Sequence, residues 1–184
     1  MKYCKRCTYP IVAVNLSVND DGVCSGCITH DEKVNINWRE REEEFKELVL
    51  KYKDNSNKNY DCIIPVSGGK DSHFQAWYLK NLGLNPLLVT YYTHNYSKTG
   101  EANLKNIGDS LGLDHYVFTP SRHVIAKMNK IGFEMTGDMS WHFHCGAWTI
   151  PFQVGVKHNI PLLIYGEHGF TDLAGQYSMN DKPE

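Results

Sequence analysis

Two groups of residues have the types and spacing to do chemistry. Cys4, Cys7, Cys24 and Cys27 form two Cys-x2-Cys pairs with sixteen residues between them. Two such knuckles can wrap one tetrahedral ion in four thiolates, the arrangement of a structural zinc site with no position left for water. Two disulfides or an iron–sulfur cluster are the other chemistries this spacing admits. The second group is the run Ser67-Gly68-Gly69-Lys70-Asp71-Ser72. Its two glycines let successive backbone N–H groups converge on an anion, and a helix opening there would turn the positive end of its dipole toward the same point. Lys70 and the hydroxyls of Ser67 and Ser72 would add donors. A Walker A loop needs glycine at position 64 and Ser or Thr after the lysine, whereas Ile64 and Asp71 stand there. The run is therefore a phosphate loop of another kind or, on the plainer reading, a glycine turn.

These groups need elements to hold them. Residues 10–18 read as a strand and 19–22 as a turn between the two knuckles, which predicts a small ribbon folded around its metal. Residues 38–52 carry Trp38, Phe45, Leu48, Val49 and Tyr52 on one helical stripe, and the polar run 53–59 reads as a linker. Beyond it strands and helices alternate. Strands are predicted at 61–66, 86–92, 115–118 and 161–165. Helices are predicted at 71–82, 101–111, 121–131 with Ser121 as its cap, and 146–158 with a kink at Pro151. This alternation means right-handed βαβ units and a parallel α/β sheet covered by helices on both faces.

In such a sheet ligands sit beyond the carboxyl ends of the strands, where the strand order reverses. If the first and last strands are neighbours there, Glu167 becomes a candidate magnesium ligand or substrate-binding group, against the alternative of a solvated loop carboxylate; His168 is a weaker candidate. Trp141-His142-Phe143-His144-Cys145 is rich in ligand atoms. Its His and Cys crowd too closely to share one metal, and no Cys-x2-Cys follows, so a zinc-deaminase site is excluded. It reads as a packed aromatic segment at a pocket rim, with contact to substrate or passage of a proton as the functional alternative. Cys62, inside a buried strand, reads as packing.

Ser67 to Ser72 match the pattern SGGxDS, and here the chain resembles the PP-loop ATP pyrophosphatases, whose fold is of the HUP-like, adenine nucleotide alpha hydrolase type. These enzymes bind the pyrophosphate of ATP and adenylate a substrate oxygen. Taken with Met1-Lys2-Tyr3-Cys4, Asp21-Gly22-Val23-Cys24, Pro65-Val66 before the loop and Asn85-Pro86-Leu87-Leu88-Val89-Thr90 after it, the whole chain resembles the N-acetyl sugar amidotransferases of surface-polysaccharide and nonulosonic-acid (pseudaminic and legionaminic type) biosynthesis. The resemblance implies a ligase that turns a sugar N-acetyl group into an acetamidino group, with ATP, Mg2+ and Zn2+ as cofactors and ammonia from a separate glutaminase subunit. It implies ATP binding by Ser67, Gly68, Gly69, Lys70, Asp71 and Ser72, catalytic work by Lys70, Asp71 and Glu167, and zinc on Cys4, Cys7, Cys24 and Cys27. Residues 90–94 would flank adenine through their backbone. The implied plan is a zinc ribbon over 1–30, a helical linker over 31–59 and a PP-loop domain over 60–184. Members of that family run longer, so the domain is expected to continue past Glu184, and activity of this chain alone is doubtful. Two alternatives stand beside this reading: a zinc-ribbon PP-loop enzyme of tRNA thiolation, and a nucleotide-binding subunit without catalysis.

Composition narrows the choice. A length of 184 residues is one ordinary domain with about 30 to spare, which the ribbon absorbs. No apolar run approaches the roughly 18 residues of a membrane span. Nineteen Lys and Arg against twenty-one Asp and Glu leave a net charge of −2, which argues against nucleic acid as partner. Lys2, Lys5 and Arg6 have no apolar stretch behind them, so no secretory signal is predicted and the expected compartment is the cytoplasm.

Overall fold

The computed structural model describes residues 2–53, 59–167, 175 and 177–179. They form two compact units. One gathers the described residues up to Glu43 and those from Glu167 onward; the other is Glu44–Gly166.

In the first unit the strand expected over 10–18 shrinks to two single antiparallel bridges, Tyr3 with Pro10 and Val18 with Cys24. Left-handed backbone at Thr8 just before the run and at Asn15 within it (φ 61° at each) stops extended pairing, and Val12 and Val14 stay exposed. The predicted turn is present: Gly22 N–H donates to Asn19 O at 2.9 Å, and Asn19 Oδ1 accepts from Val23 N–H at 2.8 Å. Helix α1 (Ser25–Glu32) follows the second knuckle. The Glu32 carboxylate accepts from Ser178 Oγ and Met179 N–H, each at 2.7 Å, so the late residues fold back onto this unit. Helix α2 (Trp38–Leu50) leads into the second unit, where its Val49 is fully buried.

The second unit runs β1 (Cys62–Pro65), α3 (Lys70–Asn81), β2 (Pro86–Tyr91), α4 (Lys98–Leu111), β3 (His115–Phe118), α5 (Arg122–Thr136) and α6 (Trp141–His158). The three strands form a parallel sheet in the order β1-β2-β3, with Cys62 opposite Pro86 and Leu88 opposite His115. The last predicted strand contracts to one parallel bridge, Leu163 with Ile63, held by Ile63 N–H to Leu162 O at 2.8 Å and Ile164 N–H to Ile63 O at 2.9 Å. It lies on the free side of β1, so the chain order across the sheet reverses beside β1.

Period-two alternation splits the core into two layers. Cys62, Ile64 and Val66 pack with Leu88, Ala76, Leu79, Leu104 and Ile107 on the α3–α4 face. Ile63, Leu87 and Val89 pack with Ile150, Val154 and Ile160 on the α6 face. Serines cap as their type predicts: Ser97 Oγ accepts from Gly100 N–H and Ser121 Oγ from Val124 N–H. Helix α6 begins at Trp141 rather than 146 and runs through Pro151, which is itself fully buried. The fold class is thus the expected α/β one, a parallel sheet with helices on both faces, preceded by a small four-cysteine ribbon. No helix among the described residues is long and apolar enough to cross a membrane.

Candidate functional site

The loop Ser67–Ser72, the candidate phosphate site, lies between the end of β1 and the start of α3. Gly68 has φ +81°, a left-handed conformation, and a Cβ there would stand 2.9 Å from Leu104 N and 3.0 Å from Leu104 Cα. Only glycine lets the loop press this closely on the backbone of α4. Gly69 is the N-cap of α3 and brings no side-chain acceptor to its first turn. The amides of that turn thus receive no cap from its N-cap residue, the condition under which a helix start can hold an external anion. Buried Ser72 turns back on the loop: its Oγ accepts from Ser67 N–H at 3.0 Å and lies 3.4 Å from Ser67 Oγ. Lys70 Nζ reaches both carboxylate oxygens of Asp71 at 2.7 and 2.8 Å, and both side chains are largely exposed. A cation and a carboxylate therefore stand at the mouth of the loop, paired, among the described residues, with each other.

The carbonyl leading into the loop is fixed from behind. Thr90 Oγ1 donates to Val66 O at 2.6 Å and lies 2.9 Å from His115 Nε2, which is assigned as the donor to it. Burial pushes the His115 imidazole below its ordinary pKa, so this chain is made by the neutral ring. The sequence reading gives residues 90–94 a backbone role only; the one available signal for Thr90 is a hydroxyl within an otherwise apolar buried run.

A cleft of about 350 Å3 opens beside Ser67. Its other walls are Thr93, Asn95 and Tyr96 after β2, Asn129 on α5, and Met139, Ser140, His142 and Phe143 at the start of α6. Of the ligand-rich run 141–145, then, His142 and Phe143 line the cleft, while Trp141 and His144 are exposed and Cys145 is half-buried. His142 is buried, with Nε2 at 2.6 Å from Asn129 Oδ1 and Nδ1 at 3.2 Å from Tyr91 Oη. Burial lowers its pKa, and Asp138 opposes that shift. The Tyr91 ring lies where a Cβ on residue 146 would be, 2.4 Å from its Cδ2, so Gly146 is what seats it.

The fourth-strand segment ends at Gly166, where a Cβ would fall on the Gln75 side-chain amide of α3. Glu167 follows it, is exposed and belongs with the first unit. His168 lies outside the described residues. Cys62 is fully buried in β1, its thiol pushed up to about 12 chiefly by desolvation, as a packing residue requires.

In the first unit the ligand atoms of Cys4, Cys7, Cys24 and Cys27 all lie within 4.8 Å of one another. Cys4 Sγ is 4.0 Å from Cys27 Sγ, and Cys7 Sγ is 3.6 Å from Cys24 Sγ. These separations exceed the roughly 2.05 Å of a disulfide, and all four cysteines are free thiols. They match the edges of about 3.8 Å of a tetrahedron with Zn–S bonds of about 2.3 Å. In a multi-iron cluster the four thiolates are shared among two or four irons and cannot all stand this close together, so a single ion fits better. Cys4 Sγ accepts from the amides of Arg6 at 3.4 Å and Cys24 at 3.3 Å. Backbone hydrogen bonds, that of Cys7 foremost, bring the Cys4 thiol down to about 6, whereas desolvation raises Cys27 to about 12. The four cysteines thus have the chemistry and the spacing to hold zinc.

The fold has solved counterparts. NMN synthetase from Francisella tularensis superposes with a TM-score of 0.55 at 12% identity, over 73% of this chain and 56% of that one. The NH3-dependent NAD synthetase of Campylobacter jejuni subsp. jejuni NCTC 11168 gives 0.53 at 13% identity, over 78% and 62%. At such identities the likeness is one of fold. The chain spans less than two thirds of the length of either protein. No family model and no curated protein matches it.

Proposed function

We propose that the chain is the ATP-activating part of an amidotransferase that converts the N-acetyl group of a sugar into an acetamidino group. The observation that carries the ATP-dependent step is the loop Ser67–Ser72: it follows β1 directly, caps α3 with a glycine, and lies where the strand order reverses. That is where an open α/β sheet binds ligands, and the uncapped helix start suits a polyphosphate. A fold shared with two synthetases, one of them ammonia-dependent by name, is in keeping with the reading.

On this reading Lys70 gives up Asp71 for phosphate oxygens, and Asp71 becomes available to hold Mg2+, which would neutralise charge on the phosphates. Glu167 is the further carboxylate proposed for the metal or the substrate. The amide oxygen attacks the α-phosphorus of ATP, the α–β P–O bond breaks and pyrophosphate leaves. Ammonia, delivered by a separate glutaminase subunit, then adds its lone pair to the imidate carbon. The C–O bond breaks, AMP departs with the former amide oxygen, and the added nitrogen loses a proton. An amide oxygen is a poor leaving group, so activation must come first, in a site that keeps water from the imidate. Zinc on the four cysteines has a structural part only.

The test uses the full-length protein. Pyrophosphate release from ATP should require an N-acetylated sugar and be indifferent to tRNA. Stimulation by tRNA without sugar would replace this reading with tRNA thiolation, and ATP binding without turnover under any of these conditions would replace it with a non-catalytic subunit.

A further inference from the structure

The reaction above needs a group that takes the proton of the attacking nitrogen, and we infer that His142, set by Asn129 and coupled to Tyr91, is that base. This rests on the amidotransferase reading and adds to it the residue that completes its second step.

The geometry selects the tautomer. Asn129 Oδ1 can only accept, so the ring nitrogen 2.6 Å away, Nε2, carries the hydrogen. Nδ1 is then the acceptor, and at 3.2 Å it receives the Tyr91 hydroxyl proton. Asn129 thus orients a neutral imidazole much as a third group orients the base in nucleophile–base–orienter triads. The bond on the Tyr91 side is the longer and more readily exchanged. The chain spans three elements, from the last residue of β2 to α6 and α5. Its tyrosine is held by Gly146 on one side and stacked on Phe118 at 5.9 Å. The imidazole lines the same cleft as Ser67, so a carbon activated by a nucleotide on the loop shares that space with it.

In the step itself ammonia forms its bond to the imidate carbon and carries an extra proton. That proton passes to Nδ1, directly or by way of Tyr91 Oη with the tyrosine proton moving on to Nδ1. His142 becomes an imidazolium whose Nε2–H still donates to Asn129, and AMP leaves as the C–O bond breaks. Among the described groups acting on the ring, Asp138 before α6 favours the imidazolium, Tyr91 from β2 titrates far higher, and Asn129 from α5 is neutral.

The experiment measures amidine formation by the full-length protein with ATP, ammonium and an N-acetylated sugar across pH. His142→Gln should lower kcat at least about 100-fold with sugar KM within about threefold, as expected for loss of a general base. Added imidazole should restore part of the activity of His142→Ala. Asn129→Asp places a carboxylate against Nε2, favours the imidazolium, and should move the acidic limb of the kcat profile to higher pH. Tyr91→Phe keeps the ring on Gly146 and should lower kcat about tenfold. A His142→Gln protein with near wild-type kcat, or an Asn129→Asp profile with its acidic limb unmoved and no imidazole rescue, overturns the inference while leaving the amidotransferase reading intact. A wild-type protein that makes no amidine removes both.

Discussion

Replacing Gly68 by alanine tests whether the loop is built as described. Two penalties add at this position. The left-handed backbone at φ +81° disfavours any Cβ by about 1–2 kcal/mol. The new methyl would also meet Leu104 N at 2.9 Å and Leu104 Cα at 3.0 Å, backbone atoms of a helix that cannot swing aside. Overpacking of that kind typically costs about 1–3 kcal/mol. The sum, about 2–5 kcal/mol, is a large share of the roughly 5–15 kcal/mol that holds a domain folded. Gly69→Ala is the internal control. Its nearest neighbour would be Ser67 Oγ at 3.5 Å, an ordinary contact, and alanine at an N-cap position costs only up to about 1 kcal/mol. Urea unfolding followed by circular dichroism should therefore show a clear loss for Gly68→Ala and a small one for Gly69→Ala, with ATP affinity falling in the same order. Equal stability of the two variants would refute the claim that α4 and the loop meet backbone to backbone at Gly68.

Three further outcomes are expected. Lys70→Ala removes a side chain that is 89% exposed, so the fold should be unchanged within about 0.5 kcal/mol while ATP binding is lost; unchanged nucleotide affinity by calorimetry would count against the loop's role. Metal analysis should find about one zinc per chain, and Cys24→Ser should lose it; iron in its place, or no metal at all, would defeat the structural-zinc proposal. Burial lowers the pKa of His115, so the unfolded chain binds its proton more readily than the folded one. Stability should then fall as pH drops below about 6.5 toward the lowered value, and His115→Gln should flatten that dependence in urea titrations between pH 7 and 5; an unchanged slope would show that His115 does not carry it.

Much of this was legible in sequence because periodicity and glycine placement are local signals. The alternation of Cys62, Ile64 and Val66 against Ile63 marks a strand buried on both faces, and the two core layers divide along that alternation. Gly68 and Gly69 announced a loop, and Ser121 a helix start. Segments whose order depends on distant partners were harder to read. The 10–18 run has the composition of a strand, yet left-handed backbone at Asn15 interrupts it. The 161–165 run is as apolar as β2 but pairs through a single bridge. Helix α6 starts five residues before its expected point because Trp141-His142-Phe143 has no helix-starting residue pattern beyond Ser140, which makes no side-chain cap. The site residues missed by the sequence, Thr90, His115, Tyr91 and Asn129, act through hydrogen bonds between elements 13 to 51 residues apart, and no spacing rule encodes those.

The most direct measurement follows an oxygen atom. With an N-acetyl sugar labelled by oxygen-18 in its acetyl carbonyl, the full-length protein, ATP and ammonium should yield AMP carrying the label in its phosphoryl group, because the amide oxygen attacks phosphorus and leaves with the nucleotide. Unlabelled AMP formed alongside an acetamidino product would contradict adenylation of the amide, and with it the central claim.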